Sequence, residues 1–190
     1  MFVGRKQELT TLERLYRSDA FQMPVVYGRR RVGKTSLIAE FVKGKPVVFF
    51  SARESTAKEN LVALSQAIAD LRLDGTSVAS DTAAPVFASF EEAFTHVFTL
   101  AQQQRIVLVI DEFPYLAQSD RSVSSVLQHL IDHHKENSRL FLILCGSSMS
   151  FMEHQVLGYK SPLYGRRTAQ IKVQPFDIMQ ASLLLRGSSS

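Results

Sequence analysis

Val25-Val26-Tyr27-Gly28-Arg29-Arg30-Arg31-Val32-Gly33-Lys34-Thr35-Ser36 is the stretch whose reading decides the fold. It opens on a short apolar run of strand character and passes into residues 34–43, which have helical character. Between the two, Gly28 to Thr35 satisfies the pattern G-x-x-x-x-G-K-[ST] in full. The glycines let the backbone curl so that successive N–H groups point inward, and the following helix adds the positive end of its dipole. A loop built this way cradles phosphates. Lys34 then offers a mobile cation to the β- and γ-phosphates, and Thr35 offers a hydroxyl to Mg²⁺. The candidate nucleotide contacts are Gly28, Arg29, Arg30, Arg31, Val32, Gly33, Lys34, Thr35 and Ser36, with the three arginines expected on the loop surface.

Downstream, Ile106-Val107-Leu108-Val109-Ile110-Asp111-Glu112 is an apolar strand that ends in two carboxylates. A buried parallel strand delivers its last residues to the carboxyl edge of a sheet, where ligands bind. Asp111 is therefore the second candidate metal ligand. Glu112 is the candidate catalytic base for an attacking water. A kinase takes its nucleophile from a substrate hydroxyl, so Glu112 favours hydrolysis over transfer to a small molecule. The next apolar strand, residues 140–145, leads into Gly146-Ser147-Ser148, and Ser147 is a candidate hydrogen-bond partner for the γ-phosphate or the water.

Around these motifs apolar runs at 25–27, 47–50, 106–110, 140–145 and 169–173 alternate with helical patterns at 34–43, 58–72, 90–104 and 122–135. Continuous rather than alternating apolar strands indicate a sheet covered on both faces. The expectation is an α/β, doubly wound, parallel five-stranded sheet with helices on both faces. Ser89-x-x-Glu92 reads as a capping box for the third of those helices, and the polar stretch 74–85 as a loop within the domain.

With 45% hydrophobic and 21% charged residues among 190, the chain falls in the globular class and outside the disordered and fibrous ones. No apolar run reaches the length of a membrane span, and the N-terminus has no apolar signal segment, which points to a cytoplasmic protein without a membrane partner. A net charge of +4 permits a nucleic-acid partner without arguing for one. The single cysteine, Cys145, is expected as a small buried hydrophobe. Phe49, Phe50, Phe90, Phe94 and Phe98 are expected in the core, and His133-His134 on a polar helix face.

Taken together, these motifs resemble the archaeal-type P-loop ATPases of the AAA+/STAND neighbourhood. Phe2-Val3-Gly4-Arg5-x-x-Glu8-Leu9 looks like that family's opening segment, and residues 26–35 and 109–116 are similar to its Walker A and Walker B. Cys145-Gly146-Ser147-Ser148 and Ser161-Pro162-Leu163-Tyr164-Gly165-Arg166-Arg167-Thr168 resemble its sensor-1 and "PLYGR" segments, and Pro175-Phe176 its exit from the core. The resemblance implies a P-loop NTPase fold with strand order 5-1-4-3-2, binding of ATP or ADP with Mg²⁺, and ATP hydrolysis coupled to conformational change. The alternative it leaves is a nucleotide-dependent switch or DNA-associated regulator with little turnover. It also implies that Gly4 and Arg5 lie beside the nucleotide, and that Arg166 is a catalytic arginine reaching a neighbouring subunit of a homo-oligomer; the other reading of Arg166 and Arg167 is a solvated pair or a contact with a carboxylate of their own domain. Residues 1–176 are expected to be the ATPase core. Residues 177–190 are expected to begin a truncated lid or tail, with any DNA contact made through domains absent from this chain.

Overall fold

The computed structural model describes residues 4–73, 76–77 and 85–176. Its centre is a five-stranded sheet of β1 (Pro24–Tyr27), β2 (Val47–Ser51), β3 (Ile106–Asp111), β4 (Leu140–Gly146) and β5 (Ala169–Lys172). The spatial order is β2-β3-β4-β1-β5, and every neighbouring pair is parallel. Read from the other edge this is 5-1-4-3-2, the expected order. The chain is thus an α/β P-loop NTPase fold, doubly wound, with helices on both faces.

Period-2 alternation divides β1 to β4 between two cores, while β5 sends only Ile171 inward. Ile106, Leu108 and Ile110 of β3, with Leu140, Leu142 and Leu144 of β4, face the larger core. That core is closed by α3 (Ala57–Ala69), α4 (Phe90–Leu100), α5 (Phe113–Ser119) and α6 (Val123–His134). Val107, Val109, Phe141, Ile143 and Cys145 face the other, which α1 (Lys6–Arg17) and α2 (Lys34–Phe41) cover. The central strands β3 and β4 are buried along their whole length, whereas the edge strand β2 is only alternately buried. Cys145 and all but one of the five phenylalanines are core as expected; Phe49, on the edge strand, is half-buried.

Several boundaries differ from the sequence expectation. The helix expected over 58–72 stops at Ala69, and Arg72–Leu73 instead pairs antiparallel with Thr76–Ser77. The remainder of the 74–85 loop, apart from Pro85, lies outside the described residues, as do Phe2-Val3 and residues 177–190. At Ser89 the hydroxyl accepts from Glu92 N–H at 3.1 Å, but the Glu92 carboxylate accepts from Ala88 N–H rather than from Ser89. The complete capping box stands at Thr56, where Thr56 Oγ1 and Glu59 each accept the other's backbone N–H. Two elements escaped the periodicity reading. α1 packs Leu9, Leu12, Leu15 and Tyr16 inward, and α5 starts immediately after Glu112.

Candidate nucleotide-binding site

The carboxyl edge of the sheet collects the ends of β1, β3 and β4, and with them the motif residues. β1 is wholly buried and turns at Gly28. A Cβ built on Gly28 would stand 2.3 Å from the Val173 carbonyl oxygen, so glycine is required there by the close approach of the segment after β5. Gly33, at φ 93°, is in the left-handed region and caps α2 with no side chain. This sets α2 apart from α3 and α4, in which the first-turn N–H groups of Glu59 and Glu92 donate to the hydroxyls of Thr56 and Ser89. The first turn of α2 carries no acidic side chain either. Its N–H groups and dipole are therefore left to an anionic ligand.

Lys34 is 5% exposed, and its Nζ donates to the carbonyls of Gly28 at 2.8 Å and Arg29 at 2.7 Å. Thr35 Oγ1 donates to Asp111 Oδ2 at 2.8 Å, joining the loop to β3. The other carboxylate oxygen of Asp111 accepts the Glu112 N–H at 2.9 Å. Glu112 has φ 53°, a left-handed backbone uncommon outside glycine, and it forms the entry to α5. That bend swings its side chain toward β4, where Ser147 Oγ donates to Glu112 Oε2 at 3.0 Å. Cys145 lies buried at the end of β4 below this group. Burial, reinforced by the negative Asp111, pushes its thiol well above the usual range and keeps it neutral.

A cavity of about 470 Å³ opens between the loop and α5. Arg30, Arg31 and the run from Gly33 to Ser36 line one side, and Glu112 and Tyr115 the other. Asp111 and Ser147 stand behind this lining, each bonded to a residue of it. Arg29 contributes its carbonyl to Lys34, while Val32 packs into the core.

Gly4, Arg5 and Arg166 are not among the residues lining the cavity. Arg5 sits behind the loop, donating to the carbonyls of Val32 at 2.9 Å and of Gln174, with its guanidinium 4.2 Å from the centre of the Phe176 ring. Gly4 lies beneath the same ring. Arg166 makes a two-pronged bond to Asp132 of α6 at 2.9 and 2.6 Å. It also donates to the carbonyls of Pro162 and Tyr164, so its guanidinium is engaged within its own domain. Sequence reasoning gave no role to Tyr115. It stands three residues after Glu112 on the first turn of α5, a helix that the sequence pattern does not announce.

Thr35 and Asp111 supply a hydroxyl and a carboxylate, hard oxygen donors of the kind Mg²⁺ takes while keeping several waters and substrate phosphates. Among the described residues no group of three or more His, Cys, Asp or Glu side chains is placed to hold a metal by itself. Two protein oxygens beside a phosphate cradle fit Mg²⁺ bound together with a nucleotide. No helix among the described residues is long and apolar enough to cross a membrane.

A protein of Methanocaldococcus jannaschii is 34% identical over 175 residues, covering 92% of this chain and 36% of its own length. An uncharacterized ATP-binding protein of the same organism is 49% identical over 47 residues, 25% of this chain and 80% of that protein. Among solved structures, a Walker-type ATPase of Pyrococcus abyssi superposes with a TM-score of 0.73 at 24% identity, covering 98% of this chain and 57% of that one. The Aeropyrum pernix ORC1 protein, solved in complex with DNA, gives 0.66 at 17% identity, covering 98% and 49%. At such identities the structural likeness speaks for the fold. This chain spans about a third of the length of the first of these relatives and about half of each of the two structures. The family described as an ATPase domain predominantly from Archaea matches residues 2–189, and the chain belongs to it.

Proposed function

We propose that this domain binds ATP with Mg²⁺ and hydrolyses it to ADP and phosphate, and that the change at the phosphate loop is passed to the rest of the protein. The observation that carries the reading is the pairing across the sheet edge: Thr35 on Asp111, and Ser147 on Glu112, around one cavity that Lys34 also lines. The loop N–H groups and Lys34 hold the phosphates, and Ser36 lies beside them at the start of α2. Thr35 and Asp111 would hold Mg²⁺, which supplies positive charge to the β- and γ-phosphate oxygens. Glu112 takes a proton from the attacking water on its carboxylate, while the Ser147 hydroxyl orients that carboxylate.

The route outward is the Arg5 clasp, which joins the Val32 carbonyl in the loop to the Gln174 carbonyl and the Phe176 ring. In this reading residues 1–176 are the ATPase core and 177–190 begin a lid or tail, in a cytoplasmic setting. The same clasp favours a second reading, a nucleotide-dependent switch with little turnover. DNA and further copies of the chain are the proposed partners of either. Phosphate release by the purified chain, with and without DNA, tests the choice. Release abolished by Lys34→Ala supports the ATPase; nucleotide binding without release supports the switch; no binding removes both.

A further inference from the structure

Tyr115 has no part in the chemistry above, yet it faces the same cavity as Lys34 and Glu112. Its backbone N–H donates to the Glu112 carbonyl at 3.0 Å, which places both residues on the opening turn of α5. Its phenol oxygen accepts a 2.6 Å hydrogen bond from Arg30 Nη2, a residue of the loop crest 85 positions away in the chain. Among the described residues Arg30 pairs with no carboxylate, and it is the one arginine of Arg29–Arg31 whose guanidinium is fastened by another side chain. The bond therefore bridges the phosphate loop and the helix that carries Glu112.

We propose that Arg30, positioned by Tyr115, reads the third phosphate and makes the site prefer a nucleoside triphosphate to a diphosphate. This rests on the nucleotide-binding reading. Loop N–H groups at the start of α2 meet the first two phosphates, Lys34 reaches the second and third, and only the third extends toward Glu112. A guanidinium presents five N–H groups in a rigid plane. The Tyr115 bond engages one of those N–H groups, at Nη2 of an exposed side chain, and in this proposal it narrows the rotamers from which the remaining donors face the cavity. A phosphate oxygen accepting from a fixed guanidinium makes a charge-assisted bond that a diphosphate lacks. Arg31 lines the same space without such a tether and supplies only diffuse positive charge.

Calorimetric titration of the 190-residue chain with ADP and with ATPγS, both with magnesium, tests this in the parent, Tyr115→Phe, Arg30→Ala and the double variant. The parent prefers ATPγS; each single change lowers the ATPγS-to-ADP affinity ratio about fivefold, through ATPγS alone, and the double variant falls no further than Arg30→Ala. Tyr115→Phe removes one oxygen and keeps the ring, and a melting curve for each variant separates loss of folding from loss of discrimination. An unchanged ratio in Tyr115→Phe, additive effects in the double variant, or equal affinities in the parent would each overturn the proposal. If the parent binds neither nucleotide, the nucleotide-binding reading itself fails and this inference goes with it.

Discussion

Two buried cations sit at opposite ends of the sheet and do opposite things. Lys34, at the carboxyl edge, is 5% exposed and donates to two carbonyls of its own loop. Arg105, at the amino edge just before β3, is 8% exposed and donates to four carbonyls, those of Leu15, Tyr16, Ala20 and Arg139. Its guanidinium lies about as far from the Tyr16 ring, 5.0 Å, as from the Phe141 ring, 5.3 Å. Its Nε has no partner, and burial draws its pKa down. Arg105 closes the end of α1, where carbonyls are left without helical partners. Lys34 borders a cavity supplied with free N–H groups. Burial and charge are alike in the two; what differs is the neighbouring space, which makes Arg105 a strut and Lys34 the candidate to meet a ligand.

The sharpest way to break this contrast is Arg105→Ala. It removes a charged donor from four part-buried carbonyls, of which those of Leu15 and Tyr16 keep a second donor in Ser18 and Asp19. The expected loss is about 3 kcal/mol of unfolding free energy. Urea denaturation measures it. ATP affinity of the folded fraction should hold steady, and a loss there would show that the two edges are coupled. Next in size is Glu112→Gln, which keeps shape and hydrogen bonding but cannot accept a proton. ATP binding should persist while phosphate release falls roughly 100-fold. Turnover at the parental rate would remove Glu112 from the chemistry.

Lys34→Ala is the mirror of Arg105→Ala. Nucleotide affinity should weaken about tenfold while the melting temperature moves little, because the side chain serves the loop and not the core. A large drop in melting temperature with unchanged affinity would make Lys34 a strut as well. The smallest effect belongs to the Arg166–Asp132 pair, whose partners are partly exposed. The hydrogen bond from Arg166 holds the Asp132 carboxyl below its usual range. The stability it contributes is therefore present above the unfolded value, near pH 4, and is lost as pH falls through the lowered folded value. Solvent screening keeps that contribution under about 1 kcal/mol. Comparing acid unfolding of the parent with Asp132→Asn reads it directly, and identical acid limbs would mean the pair contributes nothing.

What could be read in advance follows from how local each signal is. The phosphate loop, the strand ending in Asp111 and the alternation of strands and helices are carried by adjacent residues, so a single pass along the chain finds them. Arg105 carries no such mark, since its acceptors at 15, 16, 20 and 139 come together only in the fold. Arg166 is an intermediate case: contact with a carboxylate of its own domain is one of the two readings of its loop, but the partner, Asp132, stands 34 residues away and is identified only by the fold. Tyr115 was hidden by backbone. Without the left-handed turn at Glu112 the residues after β3 read as a loop, and nothing says that α5 starts at once and aims the phenol at Arg30. The capping boxes show a finer limit. Thr56-x-x-Glu59 and Ser89-x-x-Glu92 share one pattern, and only the first closes both bonds, because at the second the carboxylate settles on the preceding N–H.

During synthesis the phosphate loop is made long before the segment that backs it. Gly28 rests against Val173, whose N–H donates to the Tyr27 carbonyl at 2.7 Å, and Arg5 fastens to Gln174 from 169 residues away. A growing chain that already carries Lys34 and Thr35 therefore has the motif without the cradle. The cradle closes when β5 docks on β1, a contact of large sequence separation and so a slow one to form. A ligand that needs the closed loop stabilises the finished domain and none of its precursors on the ribosome. A loop made near the start of the chain is thus backed only by the last strand of the sheet.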